Sequence, residues 1–215
     1  MFTGFPERAL LFYEGLRADN SKAYWTDSKS VYDQAVKAPM QALLAELEPE
    51  FGAAKFFRPY RDVRFSKDKT PYKDHAAAVV EADGALYVQL SADGLYVGGG
   101  YWHTQTDQAQ RLRGAVADEL SGARLDEVLA GLAGWEQHGE RYQRLPKPYE
   151  PDHPRADLLH LKALAVGRRF EPAEWLHERE CLHRVAESWR AVQPLNDWLA
   201  RHVGPTRREQ PTRGR

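Results

Sequence analysis

Residues Ala76–Gly100 read AAAVVEADGALYVQLSADGLYVGGG, and this stretch decides the fold. Two Asp-Gly pairs, Asp83-Gly84 and Asp93-Gly94, punctuate alternating apolar runs, the strongest short-range signal for hairpins. Within the middle run Leu86, Val88 and Leu90 share one face, while Tyr87, Gln89 and Ser91 share the other. The pattern predicts strands at about Ala76–Ala82, Ala85–Ser91 and Leu95–Gly99. A further strand is expected at Tyr60–Ser66, and a short one around Leu164–Phe170 that pairs with a sheet edge. The expected fold is α+β: an antiparallel meander of about four to five strands packed against N-terminal and C-terminal helices.

Outward from the meander the period changes from 2 to 3.6. Pro6 to Ala18 forms one helix, which Asp19 and Asn20 stop before capping a second. That second helix carries Tyr24, Trp25, Tyr32 and Val36 until Pro39 kinks or restarts it. Its stripe continues through Met40, Leu43, Leu44 and Leu47 to Glu48. After His103, Thr104 and Asp107 make a capping box for a helix bearing Leu112, Val116 and Leu120. Another helix holds Leu125, Val128, Leu129 and Leu132. A Pro-rich loop follows and ends in a helix start near Pro154. Ala173 to Val203 is helical with an interruption at Pro194, and turns Trp175, Leu182, Val185, Trp189, Trp198 and Leu199 inward. One domain over residues 1–203 and a disordered basic tail over 204–215 are expected.

Composition bounds the function. Hydrophobic residues make up 42% of 215, enough for a core. Lys+Arg 30 against Asp+Glu 31 excludes a polycation as a whole. A lone cysteine, Cys181, excludes an internal disulfide framework and a cysteine-built zinc site. No signal peptide or membrane-length apolar run is present, so a soluble, cytoplasmic protein with no membrane partner is expected. The histidine spacings match no metal motif, and neither a metal nor a cofactor is implied.

The charge is uneven. Arg58–Lys73 holds six cations and two carboxylates, a net +4, and the tail carries +3, leaving −8 on the remainder. On a strand Val63 and Phe65 would enter the core, while Arg58, Tyr60, Asp62, Arg64 and Ser66 emerge opposite, with Asp62 able to pair with Arg64 or Arg58. Lys67, Lys69 and Lys73 then lie on the following loop. Arginine forks and lysines suit phosphate or carboxylate. This basic face is bordered in expectation by Gly98–Trp102 and Lys162.

The run Arg61-Asp62-Val63-Arg64-Phe65-Ser66-Lys67-Asp68-Lys69-Thr70-Pro71-Tyr72-Lys73 resembles the signature of a bacterial and fungal family, domain of unknown function 2461. Phe5, Asn20, Tyr24-Trp25, Tyr32, Pro39, Gly98–Trp102, Arg113, Pro146-Lys147, His153-Pro154 and Leu161-Lys162 carry the resemblance further, from about Phe2 to Trp198. Where the family reads Pro-Lys-Gly, this chain has Pro146-Lys147-Pro148. The resemblance identifies relatives and implies no mechanism.

The residues themselves point first to a site for a phosphate-bearing small molecule. Arg61, Arg64, Ser66, Lys67, Lys69 and Lys73 would clamp it, Arg61 being the weakest by parity. Tyr72, Gly99, Gly100, Trp102 and Lys162 would supply polar, backbone and stacking contacts. Asp62 and His75 are the candidate bases, Asp62 alternatively orienting an arginine; no reaction is specified. A second reading is a non-enzymatic module for a nucleic-acid backbone or an acidic protein, supported by the tail and by aromatic–basic interleaving. A third is an architectural salt-bridge network with no ligand.

Overall fold

A computed structural model describes residues 1–64, 67–81 and 84–207. The fold is α+β. Its strands are β1 (Ala54–Phe56), β2 (His75–Glu81), β3 (Ala85–Ser91), β4 (Gly94–Gly100), β5 (Glu136–His138) and β6 (Ala165–Phe170). They form one antiparallel sheet in the order β1-β2-β3-β4-β6-β5, slightly larger than the expected meander. Leu86, Val88 and Leu90 are buried, as their alternation requires, while Tyr87 and Gln89 stay half-buried. No helix among the described residues is long and apolar enough to cross a membrane.

The chain falls into two compact units. The first comprises Met1–Ala82, Leu86–Gly98 and Arg168–Arg190. Its N-terminal part is α1 (Arg8–Ala18), α2 (Lys22–Val31), a π-helical segment (Tyr32–Lys37) and α3 (Ala38–Phe51). The widened π turn directly precedes Pro39, whose ring an ordinary turn would press against the carbonyl of Ala35. Phe2, Phe5, Leu16, Met40, Leu43, Leu90, Leu95 and Trp189 fill the core of this unit. The Trp189 Nε1–H donates to the Tyr87 carbonyl at 3.1 Å, so the buried indole keeps a partner. Cys181 is buried too, and that burial pushes its thiol up to about 12, which leaves it inert.

The second unit comprises Asp83–Ala85, Gly99–Gly167 and Ala191–Arg215. It contains α4 (Thr106–Ala117), α5 (Glu119–Ala130) and the short α6 (Ala156–Leu159). Leu112, Leu125, Leu159, Leu164, Leu195 and Leu199 are among its buried apolar residues, and the Trp198 indole donates to the Ser121 carbonyl at 2.9 Å.

Several local expectations are corrected. The described part of the expected strand, Tyr60–Arg64, is not a strand: the first strand lies earlier, at β1, and Tyr60 makes an isolated bridge to Tyr72. The strand-parity argument for Arg58 to Ser66 therefore falls. Val63 is half-exposed, and Phe65 and Ser66 lie outside the described residues. Ser21, not Asp19 or Asn20, caps α2 through its Oγ. Gln105 with Gln108, not Thr104 with Asp107, forms the capping box of α4. Trp175 is only half-buried, between Phe170 and Arg184. Pro194 does not interrupt its helix, for α7 runs unbroken from Glu180 to His202. Buried side chains on both sides of the proline, Trp189 and Val192 before and Leu195 and Trp198 after, outweigh the lost hydrogen bond.

Residues 204–207 are docked on α4, and the remainder of the expected tail, 208–215, lies outside the described residues. Asp107 accepts from the Arg207 N–H at 2.8 Å and from the Thr206 hydroxyl at 2.9 Å. Arg111 donates to the carbonyls of Val203 and Pro205.

Two outcomes follow from this geometry. Gly94 has φ +94°, and a Cβ there would lie 2.3 Å from the Phe170 carbonyl oxygen. Gly94→Ala will lower stability in urea titration by at least ~1 kcal/mol, because both strain and a backbone clash oppose it. The Arg207 N–H, followed by Thr206 and Arg111, holds the Asp107 carboxyl well below the usual carboxylate range against the effect of desolvation. A depressed value means the anchoring is complete above the ordinary carboxylate pKa and lost as pH falls through the depressed one. Protection of the Arg207 amide, the slowing of its exchange relative to a free amide at the same pH, will stay high from neutral pH to about pH 4 and fall below it, whereas Asp107→Asn will abolish it at neutral pH.

Candidate functional site

The basic segment is a closed loop in the first unit. The Arg61 N–H donates to the Pro71 carbonyl at 2.9 Å and the Lys73 N–H to the Pro59 carbonyl at 2.7 Å, so Tyr60 and Tyr72 face each other at its neck. In such a non-hydrogen-bonded pair the polar groups of Tyr72 itself point outward. Asn20 meets both: its Nδ2 donates to the Tyr72 carbonyl at 3.1 Å, and its Oδ1 accepts from the Tyr72 N–H at 3.0 Å. A side-chain amide thus does the work of a third strand. Above the neck, Trp25 stacks on Tyr72 with centroids 4.4 Å apart and planes 9° from parallel. Tyr60 and Tyr32 lie 5.8 and 4.9 Å from the same indole.

Beyond the neck, local carboxylates take up the arginines. Arg64 forks onto Asp62, Nε to Oδ1 at 2.9 Å and Nη2 to Oδ2 at 2.6 Å. These bonds hold the Asp62 carboxyl down at about 2. A carboxylate that acidic is a poor proton acceptor at neutral pH, so its geometry suits orienting an arginine and not general-base work. Arg61 bridges two carboxylates, bonding Asp68 through Nη1 and Asp74 through Nη2 at 3.3 Å. Asp68 also accepts from the Thr70 N–H and hydroxyl, which fold the Lys67–Thr70 turn. Burial opposes the charge of Asp74, yet His75 and Arg61 hold its carboxyl below the ordinary value. The Nδ1 of His75 lies 2.9 Å from Asp74 Oδ1, an arrangement that orients the ring and leaves Nε2 for other work.

The remaining cations lack such partners. Among the described residues Arg58, Lys67, Lys69 and Lys73 form no ion pair with a carboxylate. Lys69 donates to the Val63 carbonyl at 2.9 Å, and Lys73 lies 5.1 Å from the centre of the Phe57 ring. Burial, then the nearby charges of Arg58 and Arg61, lower the Lys73 pKa. Lys55 shares that ring, its Nζ 5.9 Å from the same centroid, so two lysines lie over Phe57. Tyr72, expected as a ligand contact, is buried in the neck instead.

The other expected site residues belong to the second unit. Gly100 has φ +111°, and a Cβ on it would sit 2.6 Å from the Leu164 carbonyl, which accepts from the Tyr101 N–H at 2.8 Å. Gly99 precedes it in β4 and is buried. Gly100 thus serves close strand approach. Trp102 lies 5.3 Å from the His138 ring, and the Thr104 hydroxyl donates to the Lys162 carbonyl at 2.5 Å. The segment Gly100–Thr104 thus runs alongside Lys162–Ala165. Among the described residues no three His, Cys, Asp or Glu side chains gather as metal ligands.

Sequence reasoning missed the clasp. Asn20 reads as a helix stop, and Trp25 as core, because nothing local announces that they hold a segment fifty residues away. Asp74, just beyond the selected run, is likewise not marked by the sequence.

The family described as conserved hypothetical protein (DUF2461) matches residues 8–198, and the chain belongs to it. No curated protein sequence and no solved structure matches the chain.

Asn20→Ala will leave both polar groups of Tyr72 without their partner. The expected cost is about 1–3 kcal/mol in urea titration, with faster amide exchange at Arg61 and Lys73, whose hydrogen bonds close the neck. Unchanged exchange there would mean that the aromatic stack alone holds the loop.

Proposed function

We propose that this member of the family binds a phosphate-bearing small molecule on the cationic loop between Arg58 and His75. The observation that carries the reading is the mismatch of charges on that loop. Its carboxylates Asp62, Asp68 and Asp74 are engaged by Arg64, Arg61 and His75, while among the described residues Arg58, Lys67, Lys69 and Lys73 form no ion pair with a carboxylate. An oxyanion beside Lys73 would relieve the repulsion from Arg58 and Arg61 that lowers its pKa. Arg61 and Arg64 then act indirectly, by fixing the loop, and Lys73 with Lys69 and Lys67 supplies the charge. His75, oriented by Asp74, is the group on this loop suited to moving a proton, should a reaction accompany binding.

The paired arginines also favour a second reading, in which the loop is architectural. The two readings separate in one experiment, a melting series with pyrophosphate, nucleotides and sugar phosphates. Binding at a concentration of 100 times Kd adds about 2.7 kcal/mol of stability, a readily measured rise in Tm. The expected result is a rise with at least one phosphate compound that is lost in the Lys69→Gln/Lys73→Gln double variant. No rise across the series, or one that survives the double variant, leaves the architectural reading.

A further inference from the structure

Arg113, on α4 in the second unit, is a charge without a counterpart. Its guanidinium lies over the Tyr142 ring, 4.9 Å from the centroid. Its Nη1 is buried and has no hydrogen-bond partner, and no carboxylate among the described residues pairs with it. Three other arginines of the unit give the contrast. Arg111 bonds Asp107, Arg124 bonds Glu127, and Arg155 bonds Asp126. A buried polar nitrogen left unmatched costs stability, and a charged one costs more, so this one points to a partner from outside the chain.

The surroundings are rigid enough to make a site. The Tyr142 N–H donates to the His160 carbonyl at 2.7 Å, and the Lys162 N–H to the Glu140 carbonyl at 2.7 Å, with Arg141 and Leu161 bridged between them. The His160 Nδ1 lies 3.0 Å from the Tyr142 carbonyl, which ties the same ribbon again. This ribbon presents Lys162, whose Nζ lies 5.2 Å from the centre of the same Tyr142 ring. Glu140 already holds that ammonium at 3.1 Å on the exposed side. Two cations thus converge on one half-buried aromatic ring, and only one has a carboxylate.

We infer that Arg113 and Lys162 form a second oxyanion site, distinct from the loop, which takes a carboxylate or phosphate group of a small molecule. Arg113 Nη1 is the anchoring donor, the Tyr142 ring holds the guanidinium in place, and Lys162 adds a second charge by sharing itself between Glu140 and the ligand. The guanidinium fork makes the geometry specific, so lysine does not replace it.

Calorimetric titration of the full chain with inorganic phosphate and with citrate tests this, using the Lys69→Gln/Lys73→Gln variant to remove the loop's contribution. Saturable binding of one or both anions is expected to persist in that variant, to weaken at least tenfold in Arg113→Lys, and to vanish in Arg113→Met. The anion that binds identifies the group. Without anion, Arg113→Met is expected to melt no lower than the parent, since it loses no hydrogen bond or ion pair. Absence of binding for both anions, or equal binding in Arg113→Lys, overturns the site. A Tm several degrees lower for Arg113→Met without anion would assign Arg113 a packing role and overturn it too; if that variant does not fold, the Arg113→Lys titration decides. Loss of binding in the loop variant alone would support the loop and refute this second site.

Discussion

The hydrogen bonds that Asn20 makes to both backbone groups of Tyr72 are the constraint on which the cationic loop depends. Six cations on a short loop repel one another, and a free chain would relieve that by opening. Closure at Tyr60 and Tyr72 denies it this route. The stacked Trp25 covers the neck from the other side, so the clasp is held by an amide and by aromatic area together. With the neck closed, the loop's own carboxylates must do the local balancing, and they do it selectively: Arg61 and Arg64 are paired, while among the described residues Arg58 and the lysines form no ion pair.

That selectivity follows from side-chain chemistry. A guanidinium offers a planar fork that a neighbouring aspartate can fill at two points, as Asp62 does for Arg64, even two residues away. A lysine ammonium on a flexible stem gains less from one fixed partner and is left to solvent, to a carbonyl or to a ring face. The loop therefore presents lysines outward on an arginine-braced frame. Exposed pairs of this kind add little to stability, so their value lies in fixing the shape of the loop. The Arg113 cluster of the second unit is built the opposite way. There a single arginine rests on an aromatic ring with no carboxylate, and the neighbouring lysine is the paired cation.

The errors made from sequence share a physical origin. Tyr60 to Ser66 alternates like a strand, yet β1 forms at Ala54–Phe56 instead, since pairing with β2 rewards the backbone there. Alternation reports which faces a segment would have, not whether a neighbour exists to pair with it. Thr104 looked like a cap, but its hydroxyl is drawn to the Lys162 carbonyl. Pro194 looked like a break, but packing on either side carries the helix through.

What the sequence determined by itself was periodic or local. The helices Arg8–Ala18, Lys22–Val31 and Ala38–Phe51, the meander from His75 to Gly100, and the concentration of cations in Arg58–Lys73 were all legible. So was the Asp62–Arg64 pair, whose partners are two residues apart. Tertiary structure alone decided which charges stay unmatched. Asp74 reaches Arg61 across thirteen residues, Asn20 reaches Tyr72 across fifty-two, and Arg113 and Lys162 each meet the Tyr142 ring. Ion pairs, ring contacts and hydrogen bonds act over a few ångströms of space, and only the folded chain sets which residues come that close.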